Sequence, residues 1–150
     1  MYKLLSQIYP RSTQHPYSFE LNKDMHISAA HFIPRESAGA CSRIHGHTYT
    51  VNITVAGDEL DDSGFLVNFS VLKKLVHGNY DHTLLNDHED FSQDDRYSLP
   101  TTEVVAKTIY DNVQAYLDTL ENKPTCVQVF VRETPTSYCV YRPKKGGLNG

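Results

Sequence analysis

Three histidines have positions that let their imidazoles converge. His45 and His47 open the run His45-Gly-His-Thr-Tyr-Thr-Val51-Asn-Ile-Thr-Val55, in which Tyr49, Val51, Ile53 and Val55 alternate with Thr48, Thr50, Asn52 and Thr54. Residues two apart on a strand project from the same face, about 6.6 Å apart along the chain. His31 shares the parity of Met25, Ile27 and Ala29 in an earlier strand-like stretch, so a neighbouring strand can bring a third imidazole to the same place. Three neutral nitrogens plus one open position make the donor set of a catalytic zinc ion, with Zn–N of about 2.0–2.1 Å. A His-Gly-His pair alone is equally compatible with surface or core-edge histidines beside a glycine.

Cys41 lies four residues before His45. A thiol near a divalent cation or imidazolium loses its proton more easily and can act as base or nucleophile. It can equally serve as a soft zinc ligand, or simply as a small loop residue. Asp81-His82 is a second pair: a carboxylate can orient an imidazole and stabilise its protonated form, giving a proton-transfer unit. Neighbours in sequence often point apart, and Asp81 can instead close a turn. Glu133, just before Thr134-Pro135, can accept two parallel N–H bonds from a heterocycle, or be an ordinary strand-end acid. Cys126 and Cys139 fall inside strand patterns and are read as small packing residues. His15, His26, His77 and His88 show no partner pattern and are read as surface histidines.

The elements that must position these groups are legible from periodicity. Strands are expected over 19–32, 45–56, 125–132 and 137–142, with Val127, Val129 and Val131 on one face of the third. A loop is expected over 33–44 and a polar irregular stretch over 79–100. Asn68 can cap a helix carrying Phe69, Leu72, Leu75 and Val76 that stops near Gly78. A second helix starts after Pro100, capped by Thr101 or Thr102, with Glu103 in its first turn and a stripe of Val105, Ile109, Val113, Tyr116 and Leu120. Hairpin pairs with helices between them point to an α+β fold: an antiparallel four-stranded sheet with two helices on one face.

Composition bounds the function. The chain of 150 residues fits one domain, with 1–17 as a surface extension and 144–150 as a frayed tail. With 39% hydrophobic residues, ten Tyr and six Phe it is not a disordered chain. A net charge of −4 offers no basic excess for a nucleic-acid backbone. No apolar run approaches the ~20 residues of a membrane helix, and no signal-peptide core opens the chain, so it reads as soluble and cytoplasmic. Three cysteines cannot all pair within one chain, which argues against a disulfide framework.

Taken together, Ala29-Ala-His-Phe32, Cys41-Ser-Arg-Ile-His-Gly-His47-Thr-Tyr49, Gly64-Phe-Leu-Val-Asn-Phe69 with Leu72-Lys73, Tyr80-Asp-His-Thr-Leu-Leu-Asn86, Pro100-Thr-Thr-Glu103 and Glu133-Thr134 come in order and at family spacing. The chain resembles the 6-pyruvoyl-tetrahydropterin synthase family over about residues 19–142. Within it, the chain is most like the 6-carboxy-tetrahydropterin branch of queuosine biosynthesis. The resemblance implies that His31, His45 and His47 bind Zn2+, that Cys41 is the general base and that Asp81 and His82 form a proton relay. It implies that Glu133 anchors the pterin ring and is a catalytic residue joining the relay, with Thr101 and Thr102 near the pterin. It also implies the tunnelling fold, in which subunits of a homo-oligomer form a barrel with sites between them. The implied activity is that of a zinc-dependent lyase. It converts 7,8-dihydroneopterin triphosphate to 6-carboxy-5,6,7,8-tetrahydropterin with loss of acetaldehyde and triphosphate. A 6-pyruvoyl product of a biopterin route would use the same residues, and a non-catalytic zinc- or pterin-binding module stands as a third reading. Ser42, with no Glu near His-Gly-His, counts against the folate-linked variant, whereas Asn68 and Val104 stand where relatives often have Asp and Asn.

Overall fold

The computed structural model describes residues 15–144. Residues 1–14 and 145–150, most of the expected extension and tail, lie outside the described residues.

Strand β1 (Phe19–His31) and strand β2 (His45–Gly57) pair antiparallel along their whole lengths, from Phe19 opposite Gly57 to His31 opposite His45. Their odd-numbered side chains turn to one face. Met25, Ile27, Ala29, Tyr49, Val51, Ile53 and Val55 are buried there, as the alternation predicts. Strand β4 (Thr125–Thr134) pairs antiparallel with β2, and β5 (Ser137–Tyr141) with β4.

The sheet has five strands rather than the expected four. Thr83–Leu84 form a two-residue strand, β3, parallel to Ala29–Ala30, giving the order β3-β1-β2-β4-β5. Two residues are too few to carry a strand period, which is why the stretch reads as irregular in sequence. A register shift between Thr54 and Val55 places Cys126 opposite Val55. Cys126, Val129 and Val131 therefore join the main core cluster, and Val127, though buried, lies outside it. On the other face Asn52 and Thr54 are buried as well, in a polar ladder with Asn22 and Asp24.

Helix α1 (Phe69–Tyr80) begins at Asn68, whose side chain accepts from the Ser70 amide. It runs through Gly78 instead of stopping there, because its last residue, Tyr80, is buried and anchors the final turn. Helix α2 (Thr102–Leu117) is capped by Thr101, whose hydroxyl accepts from Val104 N. It ends before Leu120, at the Asp118 C-cap. Leu72 and Val76 of α1 and Val105, Ile109 and Val113 of α2 join the odd-numbered sheet residues in one core. Each fully buried side chain of this size contributes about 1.5–3 kcal/mol. No helix among the described residues is long and apolar enough to cross a membrane.

The expected loop 33–44 contains a 3-10 segment, Glu36–Ser42, broken at Gly39, which takes φ +59. Ile33 N donates to Cys41 O at 2.8 Å and closes the segment back on β1.

Candidate functional site

The β1–β2 register builds a histidine cluster. His31 lies directly opposite His45, Ala29 lies opposite His47, and all three histidines are odd-numbered, so their rings share the core face. Ring centroids are 4.5 Å apart for His31–His45, 5.1 Å for His31–His47 and 4.9 Å for His45–His47. One nitrogen from each ring lies within 4.8 Å of the other two. The described residues contain no other group of this kind, and Cys41 is not part of it.

The hydrogen bonds fix which nitrogens face inward. His31 Nδ1 is 2.6 Å from Pro100 O, and His45 Nδ1 is 2.7 Å from Arg43 O. A carbonyl only accepts, so each Nδ1 carries the proton and each Nε2 carries a lone pair. His31 Nε2 and His47 Nε2 are buried with no hydrogen-bond partner. An unsatisfied buried polar atom costs about 1–3 kcal/mol. Lone pairs aimed at each other, with the His31 and His45 rings held from behind by carbonyls, are the arrangement of a metal-ligand set with its outer contacts in place. Burial holds the His31 pKa below the ordinary imidazole value, and the neighbouring His45 and His47 push the same way, against the opposing effects of Pro100 O and Glu133. The neutral ring is the form that ligates. The residues therefore fit a bound cation.

Glu133 stands at this cluster. Its Oε2 is 3.6 Å from His31 Nε2 and 3.8 Å from His47 Nε2, and it accepts from Thr102 Oγ1 at 2.7 Å. Thr102 thus touches Glu133, while Thr101 spends its hydroxyl on the helix cap. Tyr49 packs against His31 and His47, and its hydroxyl is 3.4 Å from His31 Nδ1. Burial, and then the Glu133 charge, raise its pKa and keep the phenol protonated. Tyr49 reads in sequence only as a core residue.

Cys41 is exposed on the 3-10 segment. Cys126 is buried, and burial pushes its thiol up to about 12. Cys139 is half-buried against the core, as a packing role requires.

Asp81 and His82 do meet: His82 Nε2 is 3.4 Å from Asp81 Oδ2. Asp81 Oδ1 accepts from Ser28 N at 2.8 Å, and that bond, more than the nearby imidazoles, holds its pKa below the ordinary carboxyl value. The His82 side chain is 83% exposed. With Ser28, Ala30, Thr48 and His47 of the three-histidine cluster it lines a shallow depression.

All four histidines read as unpartnered surface residues are partnered: His15 Nε2 is 2.9 Å from Glu20 Oε1 and His26 Nδ1 is 3.3 Å from Thr50 Oγ1. His77 Nε2 is 3.1 Å from Asp81 Oδ2, and His88 packs against Tyr80 and lies 3.5 Å from Asp90. The His77–Asp81 spacing of four on a helix end is the signal that could have shown that pair.

A profile described as 6-pyruvoyl tetrahydropterin synthase matches residues 20–144, a span that contains every residue of both clusters. A Bacillus subtilis (strain 168) protein named 6-carboxy-5,6,7,8-tetrahydropterin synthase is 97% identical over 147 residues, covering 98% of this chain and 100% of that one. A Synechocystis protein of the same name is 32% identical over 127 residues, covering 79% of this chain and 89% of its own length. The solved structure of Caenorhabditis elegans 6-pyruvoyl tetrahydropterin synthase matches with a TM-score of 0.66 at 23% identity. That match covers 84% of this chain and 96% of the other, and it speaks to the fold alone. With the histidine cluster, the strand order and the matched span in agreement, the chain belongs to the 6-pyruvoyl tetrahydropterin synthase family.

Proposed function

We propose that this enzyme is a cytoplasmic zinc-dependent lyase of queuosine biosynthesis. It converts 7,8-dihydroneopterin triphosphate and one water, which supplies the second carboxyl oxygen, to 6-carboxy-5,6,7,8-tetrahydropterin, releasing acetaldehyde and triphosphate. The observation that carries the chemistry is the pair of buried, unpartnered Nε2 atoms of His31 and His47 beside His45. The choice of product rests on the near-identity to the Bacillus subtilis protein of that name.

His31, His45 and His47 hold Zn2+, which supplies a Lewis acid that acidifies the substrate's side-chain hydroxyls and stabilises negative charge developing on their oxygens. Glu133 receives the 2-amino and N3–H edge of the pterin. A carboxylate has about four acceptor positions, so the Thr102 bond leaves room for both donors. Cys41 Sγ takes a proton from the side chain, with the electrons moving into the ring. Asp81 and His82 carry protons back to the substrate.

The working form is a homo-oligomer closed into a barrel. Two features support this. The sheet is open, with β3 and β5 as its outermost strands. His82 is also 83% exposed, just before the edge strand β3, so a neighbouring subunit's metal centre can reach it.

The test is turnover of 7,8-dihydroneopterin triphosphate by zinc-loaded protein, with products identified by mass. Acetaldehyde with the 6-carboxy product is expected. Triphosphate without acetaldehyde replaces this reading with 6-pyruvoyl formation, and binding without turnover replaces it with a non-catalytic module.

A further inference from the structure

Asp81 is held from three directions, and one of them belongs to a residue with no role in the proposed reaction. Ser28 N donates to Oδ1 at 2.8 Å. His77 Nε2 lies 3.1 Å from Oδ2, and His82 Nε2 lies 3.4 Å from the same oxygen. His77 sits in the last turn of α1, and its own carbonyl accepts from Asp81 N at 3.0 Å. Backbone and side chain of His77 therefore grip backbone and side chain of Asp81 at once.

A carboxylate held through one oxygen can still turn about its Cβ–Cγ bond. An ion-pair contact to the other oxygen, from a different element, restrains its plane. His82 is poorly suited to supply that contact, since its side chain is 83% exposed against 35% for His77. The His82 backbone is already set by Ser28, whose carbonyl accepts from His82 N at 2.6 Å, and by its left-handed φ of 58°. The pieces divide cleanly: Ser28 and His77 hold Asp81 still, and Asp81 in turn aims a ring that keeps room to move.

We infer that His77 is a positioning residue, whose Nε2–H locks the Asp81 carboxylate so that it orients His82 for proton transfer. The inference rests on the reading of Asp81–His82 as the relay. His77 acts through Asp81 and has no contact of its own with substrate.

The experiment measures kcat and KM of the zinc-loaded enzyme in His77→Ala, His77→Gln, Asp81→Asn and the double variant His77→Ala/Asp81→Asn, with metal content recorded for each. Losing an outer-shell partner costs on the order of 10-fold, so His77→Ala is expected to lower kcat about 10-fold with KM and zinc little changed. His77→Gln restores most of the loss, because its amide N–H can donate to Oδ2. On the Asp81→Asn background His77→Ala adds less than about twofold, since the partner it acts through is already altered. An unchanged kcat in His77→Ala beside an impaired Asp81→Asn overturns this inference alone. Equal impairment of the Ala and Gln variants, or losses that multiply in the double variant, overturns it as well. Wild-type turnover in Asp81→Asn overturns the relay and the inference with it. Should His77→Ala fail to fold, the imidazole 15N resonances decide: the His77 Nε2 signal must move on Asp81→Asn, and an unmoved signal overturns the inference.

Discussion

At the end of the β1–β2 ladder, His31 Nε2 and His47 Nε2 are buried and have no hydrogen-bond partner. At the end of α1, both oxygens of Asp81 are engaged, by Ser28 N on one side and by His77 and His82 on the other. Both regions are rich in imidazole, yet one leaves its lone pairs unsatisfied and the other satisfies its acceptors from within the chain. Unsatisfied buried nitrogens are stable only if something from outside completes them, and a cation does so. A carboxylate already completed by the fold needs no ligand and is suited to orienting an exposed imidazole and stabilising its protonated form. The contrast separates three imidazoles that could hold a metal ion from a carboxylate whose contacts all come from within the chain.

The sharpest way to break this contrast is to remove one member of the first region. His45→Ala or His31→Ala is expected to abolish zinc binding and with it turnover. Zinc is expected to raise the unfolding midpoint of the wild-type protein by mass action, and a chelator to reverse the rise. In His45→Ala both effects should vanish. A variant that keeps full zinc content and the zinc-dependent midpoint rules out the three-histidine metal centre.

In the second region the expected loss is catalytic and leaves metal untouched. Asp81→Asn should lower kcat by about 10²–10⁴, the usual span for a positioned acid–base group, with zinc content unchanged. If zinc is lost together with activity, the two regions are not separable. Cys41→Ala belongs to the same class: activity falls, while zinc stays because Cys41 is outside the ligand group.

Thr102→Val sharpens the boundary between the regions. It removes the donor to Glu133 Oε2 and should weaken turnover about 10–100-fold, the value of one hydrogen bond to a charged group, with the larger share in KM. An unchanged KM removes Glu133 from pterin binding or Thr102 from its support.

The smallest effect concerns stability against acid. Folding lowers the Asp81 pKa below its ordinary 3.8, chiefly through the Ser28 amide. Its stabilisation is therefore complete above that value and is lost as pH falls through the lowered one. Wild-type unfolding below about pH 4 should include this contribution, and Asp81→Asn should show a shallower acid limb in a urea-midpoint series. An identical limb in both proteins shows that the Ser28 bond contributes nothing measurable to acid stability.

Much of this molecule is visible as local pattern. The alternation of residues 45–55, with that of Met25, Ile27, Ala29 and His31, is enough to assign three histidines to one face. Asn68 and Thr101 mark the helix starts because capping depends on residues two or three positions away.

What pattern could not reach depends on distance along the chain. Setting His31 opposite His45 is a matter of pairing register, and a slip of one residue would send the imidazoles of one strand to the other face. The Pro100 carbonyl behind His31 is 69 residues away, and the Thr102 hydroxyl on Glu133 is 31 residues away. The two-residue β3 exists only because Ala29–Ala30 offer a free ladder edge, and the bulge at Thr54/Val55 seats Cys126 where periodicity expects Val127. Local preference determined which side chains share a face. The packing of distant segments decided which of those side chains meet, because hydrogen bonds and burial between remote residues are settled only when the whole sheet closes on its helices.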